Sequence, residues 1–258
     1  MLFRSIVSFK GIPYAAPPIG DLRWRAPQPP ASWQGVRAAD RPGAMCMQTA
    51  DPMARTAELP PQSEDCLTLN VWTAAGSPSV KLPVMVWIHG GSFSNGTGAA
   101  PVYDGSVLAG HGVVVVTLNY RLGRFGFFAH PALSRETPQG PVANYGLLDM
   151  IAALRWVATN VHAFGGDPTN VTIFGESSGA AAVNRLMIAP PARGLFHRAI
   201  QQSGNGREYT PRLRERNPDG LASAEDSGKE FAVSMGVTND DVAALPIWRS
   251  EASCRERV

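Results

Sequence analysis

The sequence predicts an α/β protein built on a mostly parallel sheet, and three observations carry that prediction. Between residues 67 and 202, short apolar runs alternate with longer amphipathic segments. Strand, helix, strand in that order builds βαβ units with right-handed crossovers. Residues 113–118 (VVVVTL) are a continuous, mostly β-branched run, which suits a strand buried on both faces. Finally, Gly175-Glu176-Ser177-Ser178-Gly179 separates a strand pattern (VTIF) from a helix pattern (SGAAAVNRLMI).

Taken in order, residues 11–36 read as irregular. Pro13, Pro17, Pro18, Pro27, Pro29 and Pro30 deny ladder donors and break helices. The first strand pattern is 67–72 (LTLNVW), which alternates; the second is 84–88 (VMVWI) and the third 113–118. A helix is predicted over 144–160, where Leu147, Ile151, Leu154 and Val161 fall on one face. Gly165-Gly166-Asp167-Pro168 closes it. A fourth strand follows at 171–174, then a helix at 178–188 stopped by Pro190 and Pro191, then a short fifth strand at 198–202. One more helix fits 222–235.

A length of 258 residues predicts a single domain, 1–258. Residues 207–258 hold 18 of the 44 charged residues, so this stretch reads as a weakly patterned, polar tail. With 44% hydrophobic and 17% charged residues the chain is globular; disorder needs less apolar matter and more charge. A net charge of +2 argues against nucleic-acid or membrane-surface binding through bulk charge. No apolar run reaches the roughly 18 residues of a membrane span, and the first 11 residues do not read as a secretory signal. Three cysteines exclude a disulfide-dense scaffold, and their spacing matches no zinc site. Neither a metal nor an organic cofactor is expected.

Two motifs carry chemistry. A strand, a sharp Gly-x-Ser-x-Gly turn and a helix form the arrangement of a nucleophile elbow, which lifts a serine hydroxyl above the C-terminal edge of the sheet. The amide of Ser178 would then sit at a helix N-terminus, where unpaired N–H groups favour negative charge. Residues 87–93 (WIHGGSF) follow the second strand directly. A glycine pair there leaves backbone N–H groups free to stabilise an oxyanion in acyl transfer. Plain glycine turns in a doubly wound sheet are the structural alternative for both motifs.

With these motifs together, the chain resembles the type B carboxylesterases, a group that includes cholinesterases and para-nitrobenzyl esterases. The resemblance runs in family order through residues 9–15 (FKGIPYA), 20–24 (GDLRW), 63–72 (SEDCLTLNVW), the glycine loop, 119–123 (NYRLG), 164–168 (FGGDP), the elbow, 194–200 (GLFHRAI) and 202–204 (QSG). It implies an α/β-hydrolase fold, of which this chain would hold the N-terminal half of the mostly parallel sheet with the elbow. It also implies hydrolysis of small carboxylic esters through an acyl-serine. By position, Ser177 matches the nucleophile, and the backbone amides of Gly91, Ser92 and Ser178 match the oxyanion donors. Many members have Gly or Ala at the position of Ser92 and Ala at that of Ser178, but the donors are backbone groups. Cys46 and Cys66 match the family's N-terminal disulfide, the alternative being two reduced cysteines. Choline recognition in the family uses an aromatic between these cysteines, and none is present here, so cholinesterase activity is not expected.

The acid and base of the triad lie, in the family, beyond residue 258. His197 follows Ser177 in sequence but precedes the next strand, which places it at the opposite sheet edge; His111 and His162 also precede strands. His89 is expected to be a structural part of the glycine loop, His130 a surface loop residue, and Glu176 a residue with an internal hydrogen bond. The last 13 or so residues depart from the family pattern. An incomplete esterase, nearly inactive in isolation, is therefore the expectation, with a catalytically inactive fragment or interaction protein as the alternative.

Overall fold

The computed structural model describes residues 5–49, 59–204 and 210–237. Eight strands and six α-helices are found among them. Strand β1 is Val7–Pro13; β2 (Met45–Cys46) and β3 (Gln62–Ser63) form a small parallel pair of their own. The main sheet continues with β4 (Thr68–Thr73), β5 (Leu82–Ile88), β6 (Val114–Leu118), β7 (Gly166–Glu176) and β8 (Arg198–Gln202). The helices are α1 (Ser106–Gly110), α2 (Gly123–Phe127), α3 (Pro131–Glu136), α4 (Tyr145–Asn160), α5 (Ser178–Ile188) and α6 (Ala224–Ser234).

The six-stranded sheet has the order β1-β4-β6-β5-β7-β8. Strands β6, β5, β7 and β8 are parallel, whereas β4 runs antiparallel to β6, and β1 antiparallel to β4. The centre is where the β-branched run falls: every residue of β6 is buried. Val84, Val86 and Ile88 of β5 and Val171 and Ile173 of β7 are buried beside it. Helix α4 turns Met150, Ile151, Leu154 and Val157 into the same core. Each such aliphatic side chain stabilises the fold by about 1.5–3 kcal/mol relative to exposure. Ala180, Ala181, Ala182, Val183 and Leu186 of helix α5 are buried, the last three of them in the same core. A second cluster joins Trp24, Phe128, Leu133 and Tyr145 to Leu213 and Phe231, and so packs α6 onto the body. Ser223 caps α6 by accepting a hydrogen bond from the Asp226 amide at 3.0 Å. The polar composition of the tail therefore coexists with a helix, close to the predicted 222–235, that buries an apolar face.

One element differs from expectation. Residues 11–13 are not irregular but end strand β1, which pairs with β4. The register shifts between Phe9 and Ile12, and Gly11 (φ 69°) lies within that shift. Its amide leaves the ladder and donates to the Asn70 side chain at 3.0 Å. A bulge of this kind breaks the two-residue alternation by which strands are recognised.

The Asn119 to Leu122 segment beyond β6 is fixed from below by a buried ion pair. Arg121 donates to both oxygens of Asp149 at 2.8 and 2.7 Å, and the Arg121 amide donates to the same carboxylate at 3.1 Å. Burial disfavours the guanidinium charge, but Asp149 outweighs it and raises the affinity of Arg121 for its proton.

Candidate active site

The C-terminal ends of β5, β6, β7 and β8 lie along one edge of the sheet, and the loops that leave them meet there. Register makes this explicit: Ile88 faces Gly175, and Glu176 faces Gln202.

Strand β7 ends at Glu176 and α5 begins at Ser178, so Ser177 alone makes the turn. Its backbone adopts φ 54° and ψ −124°, a conformation that costs a non-glycine residue on the order of 1–3 kcal/mol. The surroundings hold it there. The Ser177 amide donates to the Gln202 carbonyl at 2.9 Å, and the Ala181 amide donates to the Ser177 carbonyl at 3.0 Å. The two motif glycines are required by close approach. A Cβ on Gly175 would lie 2.6 Å from the Gly179 carbonyl carbon and 2.8 Å from the Ile88 oxygen. A Cβ on Gly179 would overlap the Ile88 oxygen and lie 2.9 Å from that of His89. Ser177 is half-buried, and its hydroxyl makes no hydrogen bond among the described residues.

The loop after β5 carries three consecutive residues with positive φ: Gly91 (106°), Ser92 (55°) and Phe93 (57°). It folds back on itself, with the Ser94 and Asn95 amides donating to the Gly91 carbonyl at 2.9 and 3.0 Å. The Phe93 amide donates to the Ser178 hydroxyl at 3.3 Å, which ties this loop to the elbow. Gly90 lies close enough that a Cβ there would be 3.3 Å from the Ser177 Cβ. The amides of Gly91 and Ser92 make no hydrogen bond among the described residues. That of Ser178, the first residue of α5, has no intrahelical acceptor. Sequence-predicted donors and serine thus come from adjoining loops, with the donor N–H groups unspent.

His89 is buried (1% exposed) and stacked on Tyr120 with ring centroids 4.4 Å apart. Its Nδ1 lies 2.8 Å from the Gly90 carbonyl, so Nδ1 carries the proton and donates; Nε2 has no partner among the described residues. Burial pushes its pKa down to about 4, the Gly90 bond opposing, so the ring is neutral near pH 7. Tyr120 donates to the His89 carbonyl at 2.8 Å, and burial raises its pKa. These contacts make His89 a support of the glycine loop.

The other histidines are placed away from the serine hydroxyl. His197 pairs with the middle of β7: its amide donates to the Val171 carbonyl at 2.8 Å and its Nδ1 accepts from the Val171 amide at 3.1 Å. Five residues of strand lie between Val171 and Ser177, and the six steps along the chain span about 20 Å. His130 is not on the surface as expected. It is 1% exposed, stacks near Phe128, and its Nδ1 accepts from the Ala132 amide to start α3. The chain turns inward there because Phe128 and Ala129 on one side and Ala132 and Leu133 on the other are all buried. Glu176 does not make the internal hydrogen bond expected of it among the described residues. Its carboxylate instead lies against Gly90 and, together with burial, raises the pKa of Tyr103.

Cys46 and Cys66 are joined in a disulfide. It anchors the β2–β3 pair beside the glycine loop. A cavity of about 910 Å³ opens next to Ser92 and Phe93 and extends over Trp24, Phe128, Arg185 and Phe231. Ser177 is not part of its wall. Among the described residues no three His, Cys, Asp or Glu side chains gather as metal ligands, and no helix is long and apolar enough to cross a membrane.

With this geometry in view, comparisons with known proteins agree on one group. The profile of the Carboxylesterase family matches residues 2–248. A Fumonisin B1 esterase of Sphingopyxis macrogoltabida is 49% identical over 221 residues, 86% of this chain and 41% of that protein. A para-nitrobenzyl esterase of Bacillus subtilis (strain 168) is 53% identical over 209 residues, 80% of this chain and 42% of that protein. A solved structure of a thermophilic PNB esterase superposes with a TM-score of 0.83 at 44% identity, covering 98% of this chain and 50% of that one. The chain therefore spans half or less of the length of these relatives.

Proposed function

This chain belongs to the carboxylesterase family and has its α/β-hydrolase fold, and from that premise we propose that it carries the nucleophile and oxyanion site of a serine carboxylester hydrolase. The observation that supports this most is the elbow. Ser177 occupies a strained turn next to unspent amides and beside a loop tied to it through Ser178.

In this reading the Ser177 hydroxyl oxygen attacks the ester carbonyl carbon. The carbonyl oxygen takes up the electron pair as an oxyanion and receives hydrogen bonds from the amides of Gly91, Ser92 and Ser178. Collapse of the tetrahedral intermediate breaks the bond to the alcohol and leaves an acyl-Ser177; water then releases the carboxylic acid and restores the serine. The serine proton must pass to a base and on to the leaving alcohol. None of the described histidines bonds to Ser177, so the base is not assigned. Substrates are carboxylic esters as a class, in keeping with the para-nitrobenzyl and Fumonisin B1 esterase relatives.

Covalent capture tests this independently of turnover. A fluorophosphonate should form a single adduct, located by peptide mass spectrometry on Ser177 and absent from Ser177→Ala. It should form slowly because no base is assigned, but faster than on the denatured chain through the oxyanion amides. Capture no faster than that of the denatured chain would overturn the reading and favour a catalytically inactive relative.

A further inference from the structure

Gln48 lies two residues from the disulfide and far in sequence from the glycine loop, yet it grips that loop with both ends of its amide. The Gly96 amide donates to Gln48 Oε1 at 2.8 Å, and Gln48 Nε2 donates to the Gly96 carbonyl at 2.9 Å. The same Nε2 donates to the Cys46 carbonyl at 2.9 Å, and the Gln48 backbone amide donates to the Gln62 side chain at 3.1 Å. The primary amide thus imitates a neighbouring strand, pairing the N–H and the C=O of a single residue, while its Nε2 also reaches the Cys46 carbonyl and its backbone amide is held by Gln62 of β3.

Gly96 is where that grip matters. At φ 114° it packs so closely that a Cβ would overlap the His89 ring nitrogen and lie 2.8 Å from the Gly90 oxygen. His89 and Gly90 immediately precede Gly91 and Ser92. Tyr120 holds the His89 carbonyl, Ser178 holds the Phe93 amide, the Gly123 amide holds the Phe93 carbonyl and Asn119 holds Thr97 and Gly98, while Gln48 holds Gly96 between them. Without Gln48, Gly96 loses both of its hydrogen bonds to that side chain and can move off His89 and Gly90 between the held residues Phe93 and Thr97. The Gly91 and Ser92 amides would then sample many directions rather than one. Oxyanion stabilisation depends on donors fixed in advance of the reaction, so such motion weakens it without unfolding the sheet.

We propose that Gln48 is a positioning residue for the oxyanion site, acting through Gly96 and anchored by the Cys46–Cys66 disulfide. This rests on the reading of Gly91 and Ser92 as oxyanion donors. The test compares Gln48→Ala, Gln48→Glu and, as a control with a hydrogen bond elsewhere, Gln28→Ala in the full chain. Two quantities are read: hydrogen exchange of the 89–97 amides, and the second-order rate of fluorophosphonate capture at Ser177. Removing an oxyanion donor outright costs about 100-fold to 1,000-fold, and loosening two donors should cost less. For Gln48→Ala the expected result is at least tenfold faster exchange in 89–97, with α4 unchanged. Capture should slow about tenfold to 100-fold. Gln48→Glu keeps the acceptor and loses the donors, and should fall between; Gln28→Ala should match wild type. Unchanged exchange in 89–97 overturns the proposal, as does protection lost equally in α4, which would make Gln48 a general structural residue. If Ser177 is not captured even in wild type, the nucleophile reading fails, while exchange still decides whether Gln48 clamps the loop.

Discussion

Gly179 is a helical glycine whose replacement by alanine should have the opposite sign from the usual one. Alanine in place of glycine within a helix stabilises by about 0.5–1 kcal/mol, because the unfolded chain loses less freedom on folding. At position 179 the added methyl would overlap the Ile88 carbonyl oxygen and lie 2.9 and 3.0 Å from the His89 carbonyl oxygen and carbon. Those groups are backbone and cannot rotate aside: Ile88 is paired with Gly175 in the sheet, and the His89 carbonyl accepts the Tyr120 hydroxyl. Relief therefore requires α5 to move off the end of β5. Overpacking of this kind costs about 1–3 kcal/mol, which exceeds the propensity gain, and it displaces the elbow as well. The comparison is Gly110→Ala at the end of α1, where no atom lies within 4 Å of the new methyl. Urea unfolding followed by tryptophan fluorescence should show Gly179→Ala less stable than wild type by about 1–2 kcal/mol and Gly110→Ala slightly more stable. A Gly179→Ala protein as stable as wild type would refute the claim that helix and strand touch at this point.

Other consequences follow from the same contacts. Replacing Cys46 and Cys66 by alanine opens a loop of sequence separation 20 and should cost about 3 kcal/mol in chain entropy, read as a lower urea midpoint that reducing agent does not lower further. Asp149→Asn leaves Arg121 charged and buried without its counter-ion and should destabilise by about 3–5 kcal/mol. His89 makes stability pH-dependent. Its folded pKa of about 4 lies below the value near 6.5 of the unfolded chain, so the unfolded state takes up the proton first. The neutral ring's contribution is present above pH 6.5 and is lost as pH falls toward 4, up to roughly 3 kcal/mol. The difference in unfolding free energy between wild type and His89→Asn, measured from pH 7.5 to 4, should change by that amount, and a constant difference would contradict the burial of His89.

Features set by neighbouring residues were legible in the sequence. The elbow is a strand, a five-residue turn and a helix in succession, and its glycines announce close approach; α5 and β8 fall where their patterns place them. Strand β1 was hidden because its bulge at Gly11 breaks the alternation, and because its ladder partner β4 lies some 60 residues away. His130 was misread because a polar residue after a strand suggests a loop, whereas Phe128, Ala129, Ala132 and Leu133 on either side of it are buried and carry it inward. Gln48 gave no signal at all. A glutamine in a polar stretch is unremarkable until the fold brings Gly96 to it, 48 residues away.

The proposed acyl-transfer site joins Ser177 to the amides of Gly91, Ser92 and Ser178. A crystal structure of the protein after phosphonylation tests it most directly, because the phosphonyl group imitates the tetrahedral intermediate. Phosphorus is expected bonded to the Ser177 oxygen, with one phosphonyl oxygen about 3 Å from each of the three amide nitrogens. An adduct on another residue, or a phosphonyl oxygen on Ser177 that none of those amides reaches, would contradict it.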